Sequence, residues 1–236
     1  MVAAAQEIKE RTARHPALMW NCAGVRYGER SSMKTLYLIF IAVLCTVSLC
    51  CAQNKDLVID DFEGQIIGGP DGTVDFGAGA GSSVTVTAAT DIKNTGMQSI
   101  KVTYDAVSEG YMWVARGFGL DAKNAAWRVD TKELDWKTFK AFSFYMYGSG
   151  SKAMIAFDIK DSGNEIWRFM VEDNFQGWKK IVCPFDKFFV RGDWQPDNAD
   201  KNAALDFPVK SYQFEPRPIA KGVVYFDTVS LSPSVE

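Results

Sequence analysis

Residues 53–236 are predicted to fold as an all-β, antiparallel β-sandwich of the jelly-roll kind. Three observations carry the prediction, the first two being short segments in which apolar and polar residues alternate with period two, and clusters of Gly, Asp, Asn and Pro that separate those segments at close intervals. The third is that hardly any segment sustains a helical period.

The chain ahead of this region reads differently. Met33 and Lys34 make a short basic start, and Leu36 to Leu49 form an almost unbroken apolar run. Small residues follow at Cys50, Cys51 and Ala52, before the polar Gln53-Asn54-Lys55-Asp56. This is the layout of a signal peptide over 33–52, cleaved after Ala52, and it predicts export to the periplasm, the cell surface or the medium. A membrane span needs about 20 apolar residues, more than this run supplies, so no integral span is expected in the mature form. A lipid anchor on Cys50 or Cys51 is the lesser alternative, because Leu49 or Cys50 precedes each where the bacterial lipoprotein pattern has a smaller side chain. Residues 1–32 carry no core pattern, and a signal peptide acts at a true N-terminus. They read as an over-extended start and are left out of the fold.

Removing 1–52 leaves 20 basic against 26 acidic residues, a net charge near −6. That balance argues against a nucleic acid or an anionic membrane as partner, since both call for a basic patch. The only histidine, His15, and four of the five cysteines, Cys22, Cys45, Cys50 and Cys51, go with the removed segment. Histidine-dependent catalysis and histidine-ligated zinc are thereby excluded from the mature chain, and Cys183 alone cannot form an internal disulfide. About 184 residues must then hold together by their core. Cys183 ends the apolar strand Lys180-Ile181-Val182-Cys183 and reads as a buried, inert thiol.

Along the mature chain the predicted strands are Val58 to Phe62, Val84 to Thr87, Ser99 to Tyr104, Tyr111 to Phe118, Ala141 to Tyr147, Met154 to Lys160, Ile166 to Glu172, Trp178 to Cys183, Ser211 to Phe214 and Val223 to Leu231. Between the first two lies the Gly-rich stretch Gly68 to Ser83. It lacks the Gly-Lys-Ser/Thr of a phosphate loop and reads as a flexible surface loop. With no internal repeat and no linker, 53–236 counts as one domain.

Alternate residues of a strand point to opposite faces, so the central strands can be sorted. Phe142, Phe144 and Met146, Ile155, Phe157 and Ile159, and Trp167, Phe169 and Val171 are predicted core. The opposite parity presents Tyr145 and Tyr147, Asp158, and Arg168. Aromatic rings that pack on sugar C–H faces, together with planar hydrogen-bonding groups for hydroxyls, are what a glycan-binding face requires. A solvated face with a cross-strand Asp158–Arg168 pair fits the same pattern.

Several motifs resemble those of the family 11 carbohydrate-binding modules and their CIA30 relatives. They are Phe142-Ser143-Phe144-Tyr145-Met146-Tyr147-Gly148-Ser149-Gly150, with a Gly-x-Gly hairpin; Phe157-Asp158-Ile159-Lys160-Asp161-Ser162-Gly163; Gly177-Trp178-Lys179-Lys180 with Pro184-Phe185; and Gly222-Val223-Val224-Tyr225-Phe226-Asp227. The opening Ile59-Asp60-Asp61-Phe62-Glu63 is similar too, and the resemblance covers most of 57–232. It implies a galactose-binding-like jelly roll and a concave sheet face that takes one β-glucan chain. The candidate ligand-binding residues are Tyr145, Tyr147, Asp158, Arg168 and Gln213, on one concave surface. The sequence departs from the pattern in having no obvious row of exposed tryptophans. The resemblance also implies a structural calcium where the two chain ends lie side by side, with Asp60, Asp61, Glu63 and Asp227 as hard oxygen ligands.

Trp194, in the long loop Arg191 to Pro208, is a further ligand-binding candidate that either closes over a ligand or pins the loop. A glycosidase would need two carboxylates, for which Asp158, Glu172 and Glu215 are available. The expected function is nevertheless non-catalytic binding of a polysaccharide or oligosaccharide. The alternative is a CIA30-like protein-interaction, assembly or purely structural domain, against which the signal peptide argues.

Overall fold

The computed structural model describes residues 55–235, so the segments 1–32 and 33–52 lie outside the described residues. Among the described residues there are twelve strands: β1 (Leu57–Asp60), β2 (Asp75–Gly79), β3 (Ser83–Ala89), β4 (Ser99–Ala106), β5 (Tyr111–Gly117), β6 (Ala141–Ser149), β7 (Met154–Lys160), β8 (Ile166–Glu172), β9 (Gln176–Pro184), β10 (Phe189–Val190), β11 (Ser211–Pro216) and β12 (Ala220–Ser232). The other regular elements described are three single-turn 3-10 helices. Among the described residues no helix is long and apolar enough to cross a membrane.

The strands form two antiparallel sheets. The first runs β3-β4-β12-β6-β9, with β1 also pairing β12; the second runs β10-β8-β7-β11-β5-β2. The long β12 makes room for two partners on one side, since β4 pairs its residues 220–226 and β1 its residues 229–231, with a bulge between Asp227 and Ser230. All ten predicted strands are present, and β2 and β10 are additional. The Gly-rich stretch read as a flexible loop contains β2, an ordered edge strand paired with β5.

The faces turned inward are those the alternation predicts. Phe142, Phe144, Met146, Ile155, Phe157 and Ile159 are buried, and Phe144 touches Phe157, Phe214 and Phe226. Phe169 is only half-buried and packs on Phe188. Cys183 is fully buried and its thiol is pushed well up by burial, as an inert core residue should be.

One connection decides which residues can meet. The Gly148-Ser149-Gly150 sequence is not a hairpin: β6 belongs to the first sheet and β7 to the second, so this turn arches across the sandwich. Asp173 holds the arch. Its carboxylate accepts from the backbone N–H of Ser149 (3.0 Å), Gly150 (3.2 Å) and Ser151 (3.2 Å) and from the hydroxyls of Ser149 (2.9 Å) and Ser151 (2.6 Å). Burial alone would raise the Asp173 pKa, but the hydrogen bonds from Ser151 and Ser149 outweigh it, and the group lies below the usual carboxylate range. A depressed pKa means stability that is present above the unfolded value and lost as pH falls through the folded one. Asp173→Ala is therefore expected to cost about 2–4 kcal/mol at neutral pH, with a smaller cost in acid. Urea unfolding at the two pH values checks it, and an equal loss at both would contradict the assignment.

Candidate functional site

The outer face of the second sheet carries a continuous cross-strand row. Asp75, Ala115, Gln213, Asp158, Arg168 and Phe189 stand opposite one another on β2, β5, β11, β7, β8 and β10. Above this face lies a groove of about 1040 Å³, whose lining includes Tyr111, Trp113, Lys160, Trp194, Gln213 and Arg217.

The aromatic wall of the groove comes from β5. Met112 and Val114 are buried, so strand parity sends Tyr111 and Trp113 outward. Their rings lie 6.3 Å apart and only 14° from parallel. They reach that arrangement because the edge strand opposite them has glycines. A Cβ on Gly77 would come within 2.5 Å of the Trp113 ring, and one on Gly79 within 2.3 Å of the Tyr111 ring. The rings thus lie over backbone where a side chain would otherwise stand. Trp113 is fixed further by its Nε1–H, which donates to Asp75 at 2.9 Å. Tyr111 remains 53% exposed.

The floor beyond the aromatics is a charge lattice. Arg168 donates Nε to Asp158 Oδ1 (2.8 Å) and Nη2 to both Asp158 Oδ2 (2.8 Å) and Glu215 Oε2 (2.9 Å). Arg191 Nη1 lies 3.2 Å from Asp158 and 3.0 Å from Glu215, and Arg191 Nε donates to Asp193 at 2.7 Å. Arg217 closes the set by contacting Glu215 and, at 3.2 Å, Asp193. Three guanidiniums thus face three carboxylates. Burial works against the charge of Arg168, but Asp158 and Glu215 outweigh it and its pKa is raised. Burial would likewise raise Asp193, yet Arg191, with help from Arg168 and Arg217, holds it at about 2. Glu215 is raised, because burial there exceeds the opposing pull of Arg191 and Arg168.

The far rim belongs to the 191–208 loop. Gln195, not Trp194, pins it: Gln195 accepts from Ile166 N–H (2.7 Å) and donates to the carbonyls of Ile166 (2.9 Å) and Arg191 (2.8 Å). Trp194 is left 56% exposed on the groove, with the Arg191 guanidinium 5.6 Å from its ring centre.

The residues singled out from the sequence divide between two sites. Asp158, Arg168, Gln213 and Trp194 come together at this groove, with Asp158 and Arg168 in its buried floor. Tyr145 and Tyr147 do not join them. Both stand on the outer face of the first sheet, on the other side of the core, because β6 and β7 lie in different sheets. Tyr147 meets Tyr225 and Trp178 there edge to face, at 83° and 76°, an arrangement that offers no flat platform. The expectation of one shared surface is thereby corrected. The groove residues that sequence reasoning passed over are Tyr111 and Trp113, whose signal was present in the alternation of Tyr111-Met112-Trp113-Val114.

The four carboxylates expected to hold calcium do not form one ligand set. Asp60 is fully buried and already has a cation, since Arg116 donates Nε at 2.5 Å and Nη2 at 2.9 Å and the Tyr212 hydroxyl adds a bond at 2.8 Å. Asp61 is paired with Arg128. Glu63 accepts the Met97 N–H at 2.9 Å, and Asp227 accepts the N–H of Asn94 (2.8 Å) and Thr95 (3.0 Å). Two are thus neutralised by arginines and two accept backbone N–H. Among the described residues no group of three or more His, Cys, Asp or Glu side chains is placed to hold a metal. The set as expected does not fit the ion.

A second hollow of about 1020 Å³ is walled by Trp136, Phe139, Phe185 and Phe207. Its lysines and aspartates are exposed and Thr131 is the buried polar residue among its lining, so it offers little to orient hydroxyls.

Residues 48–233 match the model of the carbohydrate-binding domain, family 11. Among solved structures, the fold is similar to that of a family 11 carbohydrate-binding module from Clostridium thermocellum in complex with a β-1,3-1,4-mixed-linked tetrasaccharide. The two are 24% identical, with a TM-score of 0.61 over 77% of this chain and 97% of that one. It is also similar to the family 11 module of the cellulosomal cellulase Lic26A-Cel5E of Clostridium thermocellum, at 20% identity and a TM-score of 0.59, covering 78% of this chain and 98% of that one. No curated protein matches the chain in sequence.

Proposed function

The chain belongs to carbohydrate-binding domain family 11, and from that premise we propose that it is a non-catalytic module that binds a β-glucan-like polysaccharide chain along the groove of the second sheet. The observation that carries the proposal is the Tyr111–Trp113 pair, two rings 14° from parallel laid over a glycine edge. Sugar rings joined through equatorial bonds form a flat ribbon, and a flat ribbon presents successive C–H faces to aromatic rings. Gln213 and the outer atoms of Arg217 and Asp193 supply hydrogen bonds to hydroxyls beside it. The solved relative's mixed-linked tetrasaccharide makes the same class of ligand the first to try.

The lattice supports the non-catalytic reading. Asp158 and Glu215 share the guanidiniums of Arg168 and Arg191, so neither is free to act as nucleophile or proton donor. Glu172 is exposed at the end of β8, opposite Met154. The basic start and apolar run of 33–52 supports export, which is where a polysaccharide ligand is met. The test is affinity electrophoresis through gels containing soluble β-glucans. Retardation of the chain on a mixed-linked or β-1,4-linked glucan, and none on an α-linked glucan, is the expected result. Absence of retardation on every β-glucan would overturn it.

A further inference from the structure

Among the cations that line the groove, Arg191 and Arg217 are each held by carboxylates. Lys160 differs. It stands on β7 two residues beyond Asp158, half-buried, and makes no ion pair and no side-chain hydrogen bond among the described residues. Its neighbour Lys210 has partners, donating to the carbonyl of Ser162 and to Asn164 Oδ1, each at 2.7 Å. Of the carboxylates on the row, Asp158, two residues away on β7, is taken up by Arg168 and Arg191, and Asp75 by Trp113 Nε1 and the N–H of Asp121. Leu120, Ile166 and Ser211 wall a small depression beside Lys160.

An ammonium in that position is poorly served. Burial first, and then the like charge of Lys210, lower its pKa, while Asp75 and Asp121 act the other way without touching it. A sugar hydroxyl would give it a hydrogen bond but no counter-charge. A carboxylate would give both, and against partly apolar walls the charge–charge attraction is stronger than in open water.

We propose that the groove takes a glycan bearing a carboxylate, a uronic acid within the chain or on a branch, and that Lys160 Nζ receives that carboxylate. The proposal rests on the groove being the glycan site. It places the acid at a distance from the aromatic platform: Lys160 is separated from Trp113 by the intervening strand β11 and by four residues along the strand direction, roughly 10 Å across and 14 Å along the sheet. The acidic sugar would therefore lie some residues away from the rings stacked on Tyr111 and Trp113.

Isothermal titration of the chain tests it with three probes: acidic oligosaccharides from glucuronoxylan, the same oligosaccharides after carboxyl reduction, and a neutral mixed-linked β-glucan tetrasaccharide. The acidic form is expected to bind about tenfold tighter than its reduced form, a preference that shrinks as salt is raised. Lys160→Met should abolish the preference and Lys160→Arg should keep most of it, with melting temperatures confirming that both variants fold. Equal binding of acidic and reduced forms overturns the proposal, as does a preference that survives Lys160→Met. If the parent binds the neutral tetrasaccharide yet shows no preference for the acid, the carboxylate proposal fails and the groove reading stands. Binding to none of the three overturns both.

Discussion

Trp113→Ala is expected to weaken binding of soluble β-glucan by about 30-fold or more, with the melting temperature little changed. Truncating an aromatic anchor at the centre of a binding surface commonly costs 2 kcal/mol or more, and about 1.4 kcal/mol is a factor of ten in affinity. Trp113 has the features of such an anchor in the proposed groove: half-buried, hydrogen-bonded to Asp75, and laid over Gly77 nearly parallel to Tyr111. A second substitution separates the ring's presence from its placement. Gly77→Ala leaves Trp113 in the chain but puts a methyl group where the ring now lies, within 2.5 Å of it. The ring must shift out of its near-parallel arrangement with Tyr111, so Gly77→Ala should also lose affinity, by less than Trp113→Ala. Tyr147→Ala is the control, because Tyr147 lies on the opposite sheet. Affinity electrophoresis and titration calorimetry read all three. If Tyr147→Ala abolishes binding and Trp113→Ala does not, the groove is the wrong face.

That control marks the point where sequence reasoning ran out. Period-two alternation sorted Phe142, Phe144 and Met146 from Tyr145 and Tyr147 correctly, because the pleat is a local property. Alternation cannot say which strands share a sheet. That depends on whether the turn after β6 folds back as a hairpin or arches over, and here the decisive group is Asp173, some 23 residues further on. Tyr145 and Asp158 therefore seemed to share a face when each lies on the outer face of a different sheet. The Gly-rich stretch was misread for a related reason. Gly77 and Gly79 look like loop residues by composition, yet they lie on the edge strand of the second sheet, where two rings cover them. Trp113 and Tyr111 were legible in principle, since Tyr111-Met112-Trp113-Val114 alternates as cleanly as the strands that were sorted. The Asp158–Arg168 pair was legible outright, as a direct cross-strand pair.

What the pair could not disclose is how much depends on it. Arg168→Met is expected to destabilise the fold by about 3 kcal/mol at neutral pH, because removing one member of a buried ion set leaves its partners uncompensated. Arg168 is 5% exposed and makes three bonds of 2.8–2.9 Å to Asp158 and Glu215, both 1% exposed. Arg191 reaches the same two carboxylates at 3.2 and 3.0 Å, so the loss should stop short of the full cost of two orphaned charges. The pH dependence has a definite sign. The Glu215 pKa is already raised by burial, against the pull of Arg191 and Arg168, and losing Arg168 raises it further. A carboxylate with a raised folded-state pKa favours the folded state when protonated, so the deficit of the variant should shrink as pH falls toward about 5. Urea titrations across that range read the effect, with Arg168→Met/Glu215→Gln as the companion variant that removes one stranded charge and should recover part of the stability at neutral pH. A deficit independent of pH, unrelieved by the second substitution, would mean that Arg168 contributes through packing alone and that the lattice does not set the floor of the groove.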